Sequence, residues 1–283
     1  MTKAYIDELL VPLRDMFATL AVRIWEPTEA EATVFCLHGF TGNGADFAPL
    51  AGMLAPNGFR VVAPDLPGRG RSAFLRDPAR YDVRTFIRSI AALETYRGKR
   101  NFIIGTSWGG MMALAYLAAT RNTADRLILN DIVVRSNPDL KRMHAAIRED
   151  SHRVFATREE AADYVRKSRD FLGAIPAALW SEYLAHKIIS VEGGFRLSYD
   201  PATTDYFDRE TDFDFTDLLM ALRVPTLMIY GRGSPFADRD LLARLERERA
   251  NITVLRDFDA GHPPSLMTKE QGMMILGFLL SSS

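Results

Sequence analysis

Two residues of this chain are placed where they could carry out acyl chemistry together. Ser107 lies in Gly105-Thr106-Ser107-Trp108-Gly109, within the stretch NFIIGTSWGGMMALAY. The bare pattern G-x-S-x-G is common, and its bland alternative is a Gly-rich turn with a capping serine. Its setting adds weight: an apolar, strand-like run enters it and a small-residue helical run leaves it. A tight strand–turn–helix connection thrusts a serine hydroxyl out beside a helix N-terminus, where developing negative charge is favoured. Such a serine can attack a carbonyl carbon if a base takes its proton. His262, in FDAGHPPSLMTKE, sits in a loop between the last strand-like run and a terminal helical segment. That is a suitable place for a general base. His144, His152 and His186 lie in charged helical stretches without such a setting.

A serine nucleophile generates a tetrahedral oxyanion, which needs two aimed donors. The backbone N–H of Trp108, directly after the serine, is one candidate. The other is the N–H of Phe40, in VFCLHGFTGNGADF, where a strand-like run ends and Gly39 lets the chain turn inward. His38, at that strand end, is read as support for the loop rather than as a base.

These positions need a scaffold. Apolar runs rich in β-branched residues recur at 33–37, 60–64, 101–105, 126–130, 225–230 and 252–255. Runs of this length suit strands buried on both faces. Helical patterns such as GMMALAYLAA and DRDLLARLERER separate most of them, which predicts an α/β fold with a parallel sheet. The rhythm stops between about Arg135 and Asp217. That interval holds charged, helix-prone segments instead: DLKRMHAAIRED, REEAADYVRKSRDFLG and AALWSEYLAHKI. The reading is a core formed by residues 1–135 and 217–283, with residues 136–216 inserted as a helical cap. More than seventy residues is too many for a simple crossover.

Composition narrows the function classes. The 283 residues are 47% apolar and 25% charged, with a net charge of −1. That balance suits a soluble globular protein and leaves no basic excess for a nucleic-acid backbone. The single cysteine, Cys36, cannot form an internal disulfide, so a reducing cytoplasm is expected. The first residues lack the apolar core of a secretory signal, and no apolar run is long enough to cross a bilayer. The partner expected is a small-molecule substrate, with neither nucleic acid nor membrane. Gly68-x-Gly70-x-x-Ala73 imitates a dinucleotide fingerprint, but no helical pattern opens at the glycines, so no nucleotide cofactor is inferred.

The stretches LHGFTGNGADFAPLAGMLAPNGFRVVAPDLPGRGRS, GTSWGGMMALAY, RLILNDIV, VPTLMIYGRG and AGHPPSL together resemble the α/β-hydrolase superfamily, in its cap-bearing branch. The resemblance spans the core nearly end to end; the insertion matches only in position and helical character. It implies an eight-stranded, mostly parallel sheet, a helical cap, no cofactor and a Ser-acid-His order along the chain. Ser107 occupies the slot that an aspartate fills in haloalkane dehalogenases and epoxide hydrolases. The resemblance also offers two slots for the acid. The commoner one, after Tyr230, reads Gly231-Arg232-Gly233-Ser234-Pro235 and holds no acid; Asp238 comes later, and Ser234-Pro235 reads as a helix start. The other slot follows Asn130 and holds Asp131. Asp131 is the favoured candidate, with Asp238, or no acid at all, as the alternatives.

The expectation is therefore a cofactor-independent serine hydrolase with Ser107, Asp131 and His262 as catalytic residues and the Phe40 and Trp108 amides as oxyanion donors. An ester is the default substrate, with amide, lactone or C–C bond cleavage possible on the same scaffold. From a different class, a binding protein that keeps the fold but turns over little is favoured only by the missing acid after Tyr230. Arg135 or Arg142, near the start of the insertion, could hold a substrate carboxylate.

Overall fold

The computed structural model describes residues 2–14, 16–120, 124–168, 175–209 and 212–281. The tail of the helix-prone stretch REEAADYVRKSRDFLG lies outside them. Six strands coincide with the six apolar runs: β3 (Ala32–Leu37), β4 (Phe59–Pro64), β5 (Arg100–Thr106), β6 (Arg126–Asn130), β9 (Thr226–Gly231) and β10 (Ile252–Phe258). They form one sheet with β1 (Lys3–Leu13) and β2 (Met16–Glu26), in the order β1-β2-β4-β3-β5-β6-β9-β10. From β4 to β10 all neighbours are parallel; β1 pairs antiparallel with β2, and β2 with β4. β1 and β2 had no counterpart among the apolar runs. They form a ribbon at the sheet edge, and β1 is largely exposed, so its sequence is mixed rather than continuously apolar.

The parallel strands are buried on both faces because each alternates side chains between two cores. Phe102, Ile104 and Ile128 join the layer under α1 (Ala48–Leu54) and α10 (Lys269–Leu280). Ile103, Leu127 and Leu129 point the other way, toward α2 (Val83–Ala92), α3 (Trp108–Thr120) and α9 (Arg239–Glu248). Local signals set the helix starts. The Asp82 side chain accepts from the Thr85 N–H to cap α2, and Thr268 with Gln271 forms a capping box on α10. Cys36 is fully buried in β3, and burial pushes its thiol pKa up, so it is a packing residue.

Between β6 and β9 come α4 (Pro138–Ser151), α5 (Arg158–Ser168), α6 (Trp180–Lys187), the strands β7 (Ile188–Val191) and β8 (Gly194–Leu197), α7 (Tyr206–Arg209) and α8 (Thr216–Ala221). β7 and β8 form a separate antiparallel hairpin that does not join the central sheet, so this mainly helical interval also holds two short strands. Four-residue strands with one buried side chain each leave almost no periodic trace. The segment packs its own small core, including Phe155, Val165, Leu184, Leu197 and Tyr199. None of the helices among the described residues is long and apolar enough to cross a membrane.

Candidate active site

Ser107 follows β5 and precedes α3, with φ at 50°. This left-handed conformation is uncommon for a residue with a Cβ, and such strain is concentrated at functional sites. The turn is possible because its flanks carry no side chains. A Cβ on Gly105 would strike the Gly110 backbone, and one on Gly109 would strike the carbonyls of Leu37 and His38. The turn is tied to the neighbouring strand by the Ser107 N–H, which donates to the Asn130 carbonyl at 2.7 Å.

Asp131, one residue beyond β6, is also left-handed, with φ at 54°. Its N–H donates to the Ile229 carbonyl at 2.6 Å, locking it onto β9. Its carboxylate is wholly buried. Oδ1 accepts from the Ser234 hydroxyl at 2.6 Å and lies 3.0 Å from His262 Nδ1, while Oδ2 accepts from the Gly231 N–H at 3.1 Å. A carboxylate at Nδ1 places the ring proton there and leaves Nε2 to accept. Nε2 lies 2.8 Å from Ser107 Oγ. The structure thus brings Ser107, His262 and Asp131 into one hydrogen-bonded chain, each nearly or fully buried.

The loop of His262 is itself held. The Asn130 amide donates to the Pro264 carbonyl at 2.9 Å, and the Gly233 N–H donates to the Ala260 carbonyl at 2.9 Å. Phe236 presses edge-on against the imidazole, with ring centroids 4.4 Å apart. The acid-free loop after β9 is therefore not idle: Gly231 and Ser234 donate to the carboxylate supplied by the next strand. Ser234 had been read as a helix cap, and the structure corrects this. α9 begins at Arg239, and its N-cap is Asp238, whose carboxylate accepts from the Leu241 N–H and pairs with Arg135. Asp238 has these two partners in place of His262.

Phe40 and Trp108 lie side by side, rings 5.5 Å apart and edge to face. Neither backbone N–H has an acceptor among the described residues, so both remain available. Arg69, fully buried, holds Phe40 from behind: Nε donates to the Phe40 carbonyl at 3.0 Å, and the guanidinium lies against the Phe40 and Trp108 rings. Burial pulls its pKa down to about 10. His38 also supports this loop. Its Nδ1–H donates to the Gly39 carbonyl at 2.7 Å, and Nε2 accepts from the Leu66 N–H at 2.9 Å. Burial pushes its pKa down to about 3, so it stays neutral and is not engaged with Ser107. The 65–73 loop that imitated a nucleotide fingerprint is folded around Asp65, whose carboxylate accepts from the Gly44 and Arg71 N–H groups.

Ser107 and His262 open into a cavity of about 850 Å³, mouth included. The core contributes Phe40, Thr41 and Asp46 to its wall, and the inserted segment contributes Met143, Ile147, Tyr183 and Lys187. Lys187 Nζ contacts both carboxylate oxygens of Asp46, at 2.6 and 2.7 Å, joining the insertion to the loop after β3. Apart from Phe40, these wall residues carry no signal in the sequence that marks them out. Arg135 and Arg142 are not in the wall; Arg135 pairs with Asp238 and Arg142 with Asp139 on the surface. No group of three or more His, Cys, Asp or Glu among the described residues is arranged to hold a metal ion.

Comparison with known proteins agrees with this architecture. Residues 32–266 match the family model described as alpha/beta hydrolase fold. A 3-hydroxybutyrate-oligomer hydrolase of Cupriavidus necator is 25% identical over 265 residues, covering 89% of each chain. A proline iminopeptidase of Lactobacillus helveticus is 25% identical over 210 residues, covering 69% of this chain and 71% of its own. Among solved structures, an alpha/beta hydrolase from Novosphingobium aromaticivorans superimposes with a TM-score of 0.83 at 25% identity, covering 99% of both chains. These relatives are hydrolases, and the chain belongs to the alpha/beta hydrolase fold family.

Proposed function

We propose that the protein is a serine hydrolase of small ester substrates, working from its own side chains. The observation that carries this reading is the continuous chain Ser107 Oγ–His262 Nε2–His262 Nδ1–Asp131 Oδ1, with steps of 2.8 and 3.0 Å. His262 takes the hydroxyl proton as Ser107 Oγ attacks the carbonyl carbon. Asp131 holds the ring in the needed tautomer and stabilises the imidazolium, while Gly231 and Ser234 hold Asp131. The Phe40 and Trp108 amides receive the oxyanion. The tetrahedral adduct collapses; His262 gives its proton to the departing oxygen and the acyl-enzyme remains. Water, deprotonated by His262, then releases the acid and restores Ser107.

An ester is favoured over an amide by the relative from Cupriavidus necator, whose named substrate, an oligomer of a hydroxy acid, is joined by ester bonds. Residues 136–216 act as the cap, since Met143, Ile147, Tyr183 and Lys187 border the cavity that holds Ser107. A single buried cysteine suits action in the cytoplasm. The binding-only reading rested on the acid missing after Tyr230. Asp131, bonded to His262, removes that motive.

The test is hydrolysis of p-nitrophenyl butyrate by wild type and Ser107→Ala. The variant is expected to lose about 10⁴- to 10⁶-fold in kcat. A fluorophosphonate should form a covalent adduct with wild type but not with the variant. A variant rate close to wild type would refute the assignment.

A further inference from the structure

Ser107 lies at the junction of two chambers. Phe40, Met143 and Ile147 border both. Met143 and Ile147, one helical turn apart on α4, are the insertion's contribution to the lining that the two chambers share. The first chamber is the cavity containing His262, with Asp46, Tyr183 and Lys187 in its wall. The second, about 420 Å³ with its opening included, does not include His262. Its walls are Trp108, Met111, Val133 and Tyr206, and its remaining lining is Leu140, His144, Phe207 and Phe213.

The movement of the proton allocates the chambers, granted the serine-hydrolase reading above on which this step rests. His262 must hand its proton to the leaving group, so that group belongs on the His262 side. The acyl group then occupies the second chamber. Among the described residues, its lining holds no Lys, Arg, Asp or Glu. His144 adds no charge there at neutral pH, because burial, helped by Arg148, lowers its pKa to about 4. A carboxylate or ammonium on the acyl group would lose its water and find no counter-charge within that lining.

His144 lies flat against Phe207, with ring centroids 3.7 Å apart and planes within 8°. These two residues, with Leu140 and Phe213, also line a separate groove of about 1040 Å³ that carries Lys141, Arg148, Asp208 and Asp212. The stacked rings thus stand between an apolar chamber and a polar outer groove, and both come from the insertion.

We propose that the substrates carry an uncharged, apolar acyl group, and that the His144–Phe207 stack is the stop that limits its length. Removing either ring joins the chamber to the outer groove and lets longer chains pass.

The experiment measures kcat/KM for p-nitrophenyl butyrate, p-nitrophenyl decanoate and mono-p-nitrophenyl glutarate. It uses wild type, Phe207→Ala, His144→Ala and Ser107→Ala. Wild type is expected to favour butyrate over decanoate by about tenfold or more, and over the glutarate by about a hundredfold. In Phe207→Ala and His144→Ala the decanoate-to-butyrate ratio should rise about tenfold. Should both alanine variants fail to fold by circular dichroism, Phe207→Trp, which thickens the stop, should lower that ratio. A wild type that accepts decanoate or the glutarate as readily as butyrate, or a ratio unmoved by these variants, overturns the proposal. Activity lost in Ser107→Ala together with an unmoved ratio sinks only the acyl stop. Inertness toward all three esters, or a rate indifferent to Ser107→Ala, sinks the serine-hydrolase reading, and the stop with it.

Discussion

The C-terminal edge of the central sheet and the inserted segment, residues 136–216, are built by opposite means. At the edge, position is enforced by the backbone. Ser107 and Asp131 are both held in left-handed conformations, each by its own N–H on the adjacent strand, at 2.7 and 2.6 Å. Side chains there have little freedom, because parallel neighbours bury them on both faces. The insertion relies instead on its small core and on exposed pairs such as Arg153–Glu149 and Arg166–Asp163, which individually contribute about 0–1 kcal/mol. Its link to the loop after β3 is concentrated in Lys187–Asp46 and in the Asn43 amide, which donates to the His186 carbonyl at 2.8 Å. The difference teaches a division of labour. On the proposed reading, the reacting groups need sub-ångström placement and sit at the sheet edge, while the residues proposed to select the substrate sit on a segment whose packing is separate from it.

If that division holds, damage at the edge should appear in kcat. The largest effect is expected from Asp131→Asn. The amide can present an N–H to Nδ1 and favour the tautomer with Nε2 protonated, which cannot accept from Ser107. A loss of about 10³- to 10⁴-fold in kcat should follow, with the fold intact by circular dichroism. A loss below tenfold would break the assignment.

Ser234→Ala sharpens it. The change removes one of the donors to Asp131 and leaves Gly231 and His262 in place. A hydrogen bond to a charged group contributes about 1.5–3 kcal/mol, so kcat should fall roughly ten- to a hundredfold with little change in KM. An effect confined to KM would mean that Ser234 acts on substrate rather than on Asp131.

His38 tests the support beneath the edge through stability. Its folded-state pKa of about 3 lies below the ordinary 6.5. Between these values the unfolded chain binds the proton and the folded chain does not. His38 therefore lowers stability as pH falls through that window and has no such effect above about 6.5. The slope from this group is at most about 1.4 kcal/mol per pH unit. Urea unfolding between pH 7 and 4 should show a shallower decline in His38→Gln than in wild type; parallel curves would contradict the prediction.

The smallest effect is expected from Asp238→Asn. Asparagine also caps helices, and the Arg135 pair is partly exposed, so stability should change by less than about 1 kcal/mol. kcat should stay within about twofold of wild type. A loss comparable to that of Asp131→Asn would reverse the ranking of the two acids.

Ser107, Phe40, Trp108 and His262 can be singled out as candidates from the sequence because the signals around each are local. A buried strand, glycines and a helix start are contiguous around Ser107, and Gly39 adjoins Phe40. The six parallel strands were legible for the same reason: burial on both faces writes a continuous apolar run. β1 and the β7–β8 hairpin were not, because exposed or four-residue strands leave a mixed pattern.

What remained open depended on neighbours far apart in the chain. Asp131 and Asp238 both follow strands that end at the same edge, and residue type cannot say which carboxylate turns toward His262. The choice was made when β6 and β9 paired. That pairing aims Asp131 between His262 and the Gly231–Ser234 loop, while Asp238 is taken up by the start of α9 and Arg135. The partnership of Ser234 with Asp131, 103 residues apart, appears only once those strands lie side by side. The cavity walls were hidden more deeply. The charged periodicity of α4 and α6 marks them as helices, but their rotation about the helix axis, which places Met143, Ile147 and Lys187 in the wall of the cavity that also holds Ser107, is set by packing against the core.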